Sequence, residues 1–349
     1  MNLLYSDVET DLRASVADLL GDHSTDLWPR LVQVGAHALH VPEELGGQGA
    51  SYRETAVVAE ELGRFVSPVP FLTSAVMATA ALTHLVDDPR ARDLLQRLAS
   101  GSATAALVVP LSSWDSWPDG SGLVQSVAGA LTADVLLVPI EGRLHLVPSA
   151  DATVTPVVSF DNSRPLADVD VSGSPTTALS GPGDAAVRAA LVAGAGVLAS
   201  EQVGIATWCL DTTVAHLKDR HQFGRPLGSF QALKHRVADL WQSLVLARAT
   251  ARHAATALTT GDDTPIAVSV AQSFCSPVAV RAAEESLQLH GGIGMTWEHP
   301  LHHYLKRAKA NEIALGTPAR HRATLAPLVD LPGPVGAFSG APPSPTVVP

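Results

Sequence analysis

Cysteine is almost absent from this chain of 349 residues: Cys209 and Cys275 are the only two. Two thiols make no disulfide framework, and both fall in helical stretches that want a small apolar residue. Aromatics are scarce at 5%, and charged residues reach only 16%. The hydrophobic share is 46%, mostly Ala, Leu and Val, a mixture that favours packed helices over an aromatic-rich β protein. Basic residues are outnumbered, 23 against 34 acidic, for a net charge of −11. A phosphate backbone repels such a chain, so no nucleic acid is expected as a partner. No apolar run long and charge-free enough to span a membrane is expected either. The opening MNLLYSDVETD turns acidic by Asp7 rather than building a secretion signal. The expected compartment is cytoplasmic.

Local patterns divide the chain. Ser6 with Glu9, and Ser51 with Glu54, have capping-box spacing, and each precedes an apolar stripe at helical period. Pro42 and the glycines of VPEELGGQG (41–49) break the pattern between them. Helical character resumes over 73–86 and 89–98. Residues 1–101 therefore read as a helical domain. From 102 to 183 short β-branched runs (106–109, 135–139, 144–147, 153–158) alternate with Gly, Pro, Asp and Ser, predicting a small antiparallel β domain. Long Ala-rich helices follow over 184–330. The first covers 184–218. Ser229 is expected to cap the second, which ends near Gly261. Thr264-Pro265 opens the third, Pro277 should kink it, and Gly291-Gly292 stops it. Two shorter helices cover roughly 300–309 and 318–328. The tail 331–349, rich in Pro, Gly and Ser, is predicted to be disordered. The fold class is thus α+β, mostly α.

Two segments carry a specific signal: RHQFGRPLGSFQALKHRVADL at 220–240 and SLQLHGGIGMTWEHPLHHYLKRAKANEIALGTPARHR at 286–322. Both closely resemble signature segments of the acyl-CoA dehydrogenase family, and VPEELGGQG resembles a weaker third. The resemblance covers about residues 5–328. It implies the family's helix–β–helix build and an FAD held at a dimer interface, where one subunit covers the isoalloxazine ring and its neighbour supplies groups to the diphosphate side. By similarity, Arg220, Gln222, Phe223, Gln288, Gly291, Gly292 and Thr317 fall on cofactor-binding positions. An arginine can fork onto phosphate oxygens, and paired glycines let backbone N–H groups approach closely. Taken singly, each has a plainer reading as a helix terminus. Together and in order they carry the resemblance.

The departures are equally informative. Members with a full flavin site carry a TEPGAGSD-like segment in the β domain, followed by a tryptophan before Thr or Ser. Here the corresponding region reads VVPLSSWDSWPDGSGLVQSVAGALTADVLLV, shortened, with Trp114 and Trp117 in another context. The reaction removes an α-proton from an acyl-CoA thioester while hydride leaves the β-carbon, and so needs a carboxylate base. The family's usual base position is Leu315 here, and its alternative position is Gly194. Neither accepts a proton. Glu201 lies seven residues on, about 10.5 Å along the same helix face. It is a weak base candidate beside a helix-interface role. The GxGxxA pattern at 194–199 lacks a βαβ context and reads as close helix packing. His290, His299, His302 and His303 lack metal-site spacing, so no metal is expected.

Three functions follow. The first is a subunit that completes the FAD site of a second acyl-CoA dehydrogenase-like chain. The second is a self-sufficient homo-oligomeric enzyme with a displaced base such as Glu201. The third is a non-catalytic structural member of the fold. The resemblance also implies an electron-transferring flavoprotein as acceptor and leans toward bulky acyl groups, such as fatty acid or steroid side chains.

Overall fold

In the computed structural model, residues 3–22 and 26–329 are described. The N-terminal part contains α1 (Asp7–Gly21), α2 (Leu27–Gln33), α3 (Tyr52–Arg64), a π-helical stretch (Phe71–Ala78) running into α4 (Thr79–His84), and α5 (Pro89–Ala99). Both capping boxes form: in each, the serine hydroxyl and the glutamate three residues on satisfy one another's backbone N–H groups. The expected helix over 73–86 opens with the wider π turn. That turn seats Thr73 against Gly129 and Met77 against Gly194.

The middle part has strands β1 (Ala105–Leu107), β2 (Leu123–Ala128), β3 (Val135–Ile140), β4 (Arg143–Pro148), β5 (Thr153–Val157), β6 (Leu166–Asp170) and β7 (Thr177–Ala178). They form two sheets, ordered β1-β3-β4-β7 and β2-β6-β5. The expectation of a purely antiparallel unit is corrected at one pair: β1 and β3 run parallel. The chain between them crosses to the second sheet as β2 before returning, which leaves both strands pointing the same way. Neither β2 nor β6 stands out in the sequence. A register shift between Val124 and Val127, with Ser126 at φ 59°, interrupts the alternation of β2. The strand β6 contains two aspartates, a residue type poor in strands.

The C-terminal part is a bundle of α6 (Gly183–Asp219), α7 (Gln231–Thr260), α8 (Thr264–His290), α9 (Leu301–Ile313) and α10 (Pro318–Leu328), with a hairpin of β8 (His221–Gln222) and β9 (Arg225–Pro226) between α6 and α7. The proline-free α6 is the spine, and it packs against α3, α4, α7, α8 and α9. A Cβ added at Gly63 would meet the Glu201 carbonyl at 2.1 Å, and one at Gly204 the Glu60 carbonyl at 1.9 Å. Glycine at both positions is what lets α3 and α6 cross at this distance. The 194–199 pattern lies inside α6, where Gly196 faces Leu258 and Val268. Two capping details differ from expectation or add to it. Phe230, not Ser229, is the residue before α7, because the Ser229 hydroxyl donates back to the Pro226 carbonyl at 2.7 Å. The helix α8 runs through Pro277 without a break in assignment. The expectation about apolar runs is also corrected. By length and composition, Gly183–Asp219 and Thr264–Met295 could each cross a membrane, yet their apolar stretches lie mostly buried within the bundle. The tail 331–349 lies outside the described residues.

Candidate functional site

The sequence-derived cofactor residues collect where α6 and α8 end. At Arg220 the backbone leaves the helix and becomes extended. The chain then folds back through β8 and β9, and Phe223 and Gly224 form the tip at φ 53° and 74°. Phe223 is 87% exposed. Arg220 is exposed too and has no ion pair among the described residues. At the end of α8, Gly291 takes φ 63°, ψ −139° and turns the chain into a short 3-10 segment. A Cβ added at Gly291 or Gly292 would meet nothing within 4 Å, so this backbone is open on its outer side. Gln288 is exposed on the preceding turn, and Gln222 lies in the hairpin. The two helix ends are joined: the ring of His216, one turn before Arg220, stacks on that of His290 at 4.5 Å. The guanidinium and open backbone donors suit an anionic diphosphate. Thr317 sits elsewhere, at the start of α10, where its hydroxyl accepts the Arg320 N–H at 3.3 Å.

Leu315 and Gly194, the positions where the resemblance implies a base, meet in space, and the meeting place is full. A Cβ on Gly194 would lie 2.9 Å from Leu315 Cδ1 and 2.9 Å from Met77 Cγ. Leu315 is fully buried at φ 53°, a conformation uncommon for a side-chain-bearing residue. Its N–H donates to the Leu111 carbonyl at 2.7 Å, and its own carbonyl lies 2.9 Å from His321 Nε2. Trp114 closes the turn from outside. Its ring lies 4.2 Å from that of His321, and its indole N–H donates to the Thr324 hydroxyl at 3.0 Å. Arg188 clamps the same segment by donating to the Trp114 and Asp115 carbonyls. The shortened stretch after β1 thus acts as a plug over the Leu315 turn. What remains is a void of about 10 Å³ lined by Thr73, Met77, Leu107, Val109, Leu111 and Ala128, and a second of about 50 Å³ nearby. Ligand pockets run to roughly 300–1,000 Å³. The open patch at Arg220 and Gly291-Gly292 therefore suits an anionic dinucleotide, whereas the space around Leu315 and Gly194 is too small for an isoalloxazine. Leu315→Ala should cost about 2–4 kcal/mol in urea unfolding, as for other large-to-small changes in a dry core. A loss below about 1 kcal/mol would show that this space is loosely packed.

Glu201 sits in a buried ionic cluster. Its Oε2 accepts from Arg164 at 2.6 Å, and its Oε1 from Arg307 and Asn311, each at 2.9 Å. Arg307 also donates to Asp161 at 2.5 Å, to the Ser163 hydroxyl at 2.9 Å and to the Ser67 carbonyl at 3.3 Å. Burial alone would raise the Glu201 pKa, but Arg164 and Arg307 outweigh it and hold it at about 2. Both oxygens are engaged by cations, which makes the group a poor proton acceptor and a good anchor. The cluster ties the 161–164 loop of the β region to α6 and α9. Because the folded pKa lies below the unfolded carboxylate range, this carboxylate stabilises the fold above roughly pH 4 and stops doing so as pH falls toward 2. An acid titration followed by far-UV dichroism should show unfolding over that interval for the wild-type chain. The cluster was not visible in the sequence, since residues 161, 164, 201, 307 and 311 share no local spacing. The one hint is Arg307 and Asn311, which stand one turn apart on α9.

Comparison with known proteins agrees with this architecture. The family models for the acyl-CoA dehydrogenase N-terminal and C-terminal domains match residues 8–102 and 181–328. Acyl-CoA dehydrogenase IpdE2 of Mycobacterium tuberculosis is 39% identical over 308 residues, covering 88% of this chain and 87% of its own. The ChsE4–ChsE5 complex of the same organism superposes with a TM-score of 0.84 at 25% identity, over 95% of this chain and 100% of the matched one. The Tcur3481–Tcur3483 steroid ACAD variant does so with a TM-score of 0.80 at 27% identity, over 93% and 98%. The chain belongs to the acyl-CoA dehydrogenase family, flavin-dependent oxidoreductases acting on CH–CH bonds.

Proposed function

We propose that this chain is the lending subunit of a hetero-oligomeric acyl-CoA dehydrogenase. It gives Arg220, Gln222, Phe223, Gln288 and the Gly291-Gly292 backbone to an FAD whose ring-side contacts and catalytic base come from a second family chain. One observation carries this reading. The lent residues stand open at the α6 and α8 ends, while the space around Leu315 and Gly194 is packed shut. Two structural neighbours, Tcur3481–Tcur3483 and ChsE4–ChsE5, each pair two named proteins, which supports it.

FAD, when bound, takes the hydride from the β-carbon of the acyl-CoA thioester. This chain's own work is positioning. The Arg220 guanidinium and the Gly291-Gly292 N–H groups would hold the diphosphate, and the exposed Phe223 tip would reach toward the neighbouring subunit. No side chain of this chain at Leu315 or Gly194 takes the α-proton, so the partner supplies the base. Thr317 caps α10 through its hydroxyl and is not among the lent residues. The helical, β and bundle parts divide near residues 101 and 183, and the protein works in the cytoplasm. The steroid neighbour favours a bulky acyl group, and an electron-transferring flavoprotein is the expected acceptor. The test is to tag this chain in its native cells, capture its assembly and sequence what comes with it. A co-purifying family chain with a TEPGAGSD-like segment and a glutamate before its Gly-Thr pair, at one FAD per two chains, supports the proposal. Capture of this chain alone, carrying one FAD each and turning over substrate, overturns it in favour of a homo-oligomeric enzyme.

A further inference from the structure

Three imidazoles pack together beside the open patch, His216 stacked on His290 and His299 tilted against it. His216 of α6 lies 4.5 Å from His290 of α8 between ring centroids, and His290 lies 4.6 Å from His299, just before α9. His290 is 6% exposed. Its Nδ1 stands 2.7 Å from the Ser286 carbonyl, which can only accept, so the proton resides on that nitrogen. Its Nε2 is buried with no hydrogen-bond partner, a costly state that asks for a reason. Position supplies one. His290 is bonded to Gly291, and His216 stands one turn before Arg220.

The charged and titratable groups around the stack are Arg220 and Asp219 from the end of α6 and His302 from α9. The Thr213 and Ser286 hydroxyls and the Trp208 ring are neutral neighbours. Burial first, then the charges of His290 and Arg220, lower the His216 pKa, with Asp219 opposing. Burial first, then His290 and His302, lower that of His299. In the free chain both are therefore neutral at pH 7, and an arriving anion would favour their charged forms.

We propose that His216 and His299, held together through the His290 ring between them, form a proton-linked floor to the dinucleotide site, so that binding of the diphosphate takes up a proton from solvent. The inference rests on the reading of Arg220 and Gly291-Gly292 as flavin contacts. The sign follows from linkage. The bound anion raises the imidazole pKa, so affinity is greatest at low pH and weakens as pH rises from the free toward the bound value. The diphosphate itself has no group titrating near neutrality.

The test uses the native assembly, captured through this chain, stripped of flavin and titrated with FAD by flavin fluorescence between pH 5.5 and 8. The dissociation constant should rise about threefold to tenfold per pH unit over part of that range, the slope expected for uptake of up to one proton. Mixing in weak buffer should consume about one proton per site. His216→Phe and His299→Tyr keep the ring contacts without that charge, and each should flatten the profile. Two independent variants guard against one that fails to fold. A flat wild-type profile, or an unchanged slope in both variants, overturns the inference. Arg220→Ala separates the two layers. If it leaves FAD affinity unchanged, the underlying site reading fails. If it weakens affinity while the histidine variants keep the slope, only the histidine floor fails.

Discussion

Arg307→Ala should destabilise the chain by about 3–5 kcal/mol, among the largest effects expected of any single substitution outside the open patch. The guanidinium is almost wholly buried and holds Asp161, Glu201, the Ser163 hydroxyl and the Ser67 carbonyl at once. Removing it leaves two carboxylates partly unpaired in a dry interior. Arg164 still bonds Glu201 and stands near Asp161, but Asp161 keeps direct side-chain hydrogen bonds only within its own turn at Ser163. The 161–164 loop should then loosen, held to α9 only through the Arg164–Asn311 hydrogen bond. Denaturant unfolding of the purified variant measures the loss, and proteolysis should cut within 158–165. A loss below about 1 kcal/mol would mean that water screens the cluster. Glu201→Gln should also destabilise, because it exchanges a charge for an amide between two arginines. That effect belongs to stability, and turnover per folded assembly should stay unchanged if the base resides on the partner.

Arg220→Ala should weaken FAD binding by the assembly about 10- to 150-fold, with no loss of fold. The range follows from about 1.5–3 kcal/mol for hydrogen bonds to a charged group. Arg220 is exposed and has no ion pair among the described residues, and its backbone hydrogen bonds to His216 and Leu227 survive truncation to alanine. Arg220→Lys should recover only part of the affinity, since an ammonium lacks the planar fork that matches two phosphate oxygens. Flavin fluorescence during titration of the flavin-free assembly reads both. Unchanged affinity in Arg220→Ala would remove the diphosphate from this position.

The sequence disclosed the open patch at the α6 and α8 ends far better than the packed space around Leu315. The residues around Arg220 and Gly291-Gly292 sit in two continuous segments, and their backbone demands are local: a helix stop, a tight hairpin, a left-handed glycine. Capping boxes at Ser6 and Ser51 were legible for the same reason. The missing base at Leu315 could be read from one residue. The plug that fills its place could not, because it needs Met77 from the π-helical stretch, Trp114 from the loop after β1 and Gly194 from α6 to converge. The ionic cluster at Glu201 and the parallel pairing of β1 with β3 were hidden likewise, both being set by distant segments. The Ser229 cap failed for a local reason, since its hydroxyl had a nearer acceptor in the Pro226 carbonyl.

The most direct test of the closed ring side is the flavin content of this chain expressed and purified alone, measured by visible absorbance against protein concentration. The expected result is a folded protein with little or no flavin, which gains it when the partner chain is added. Near one FAD per chain, bound without a partner, would contradict it. That result would mean that the Leu315 turn and the Trp114 plug open to build a complete site.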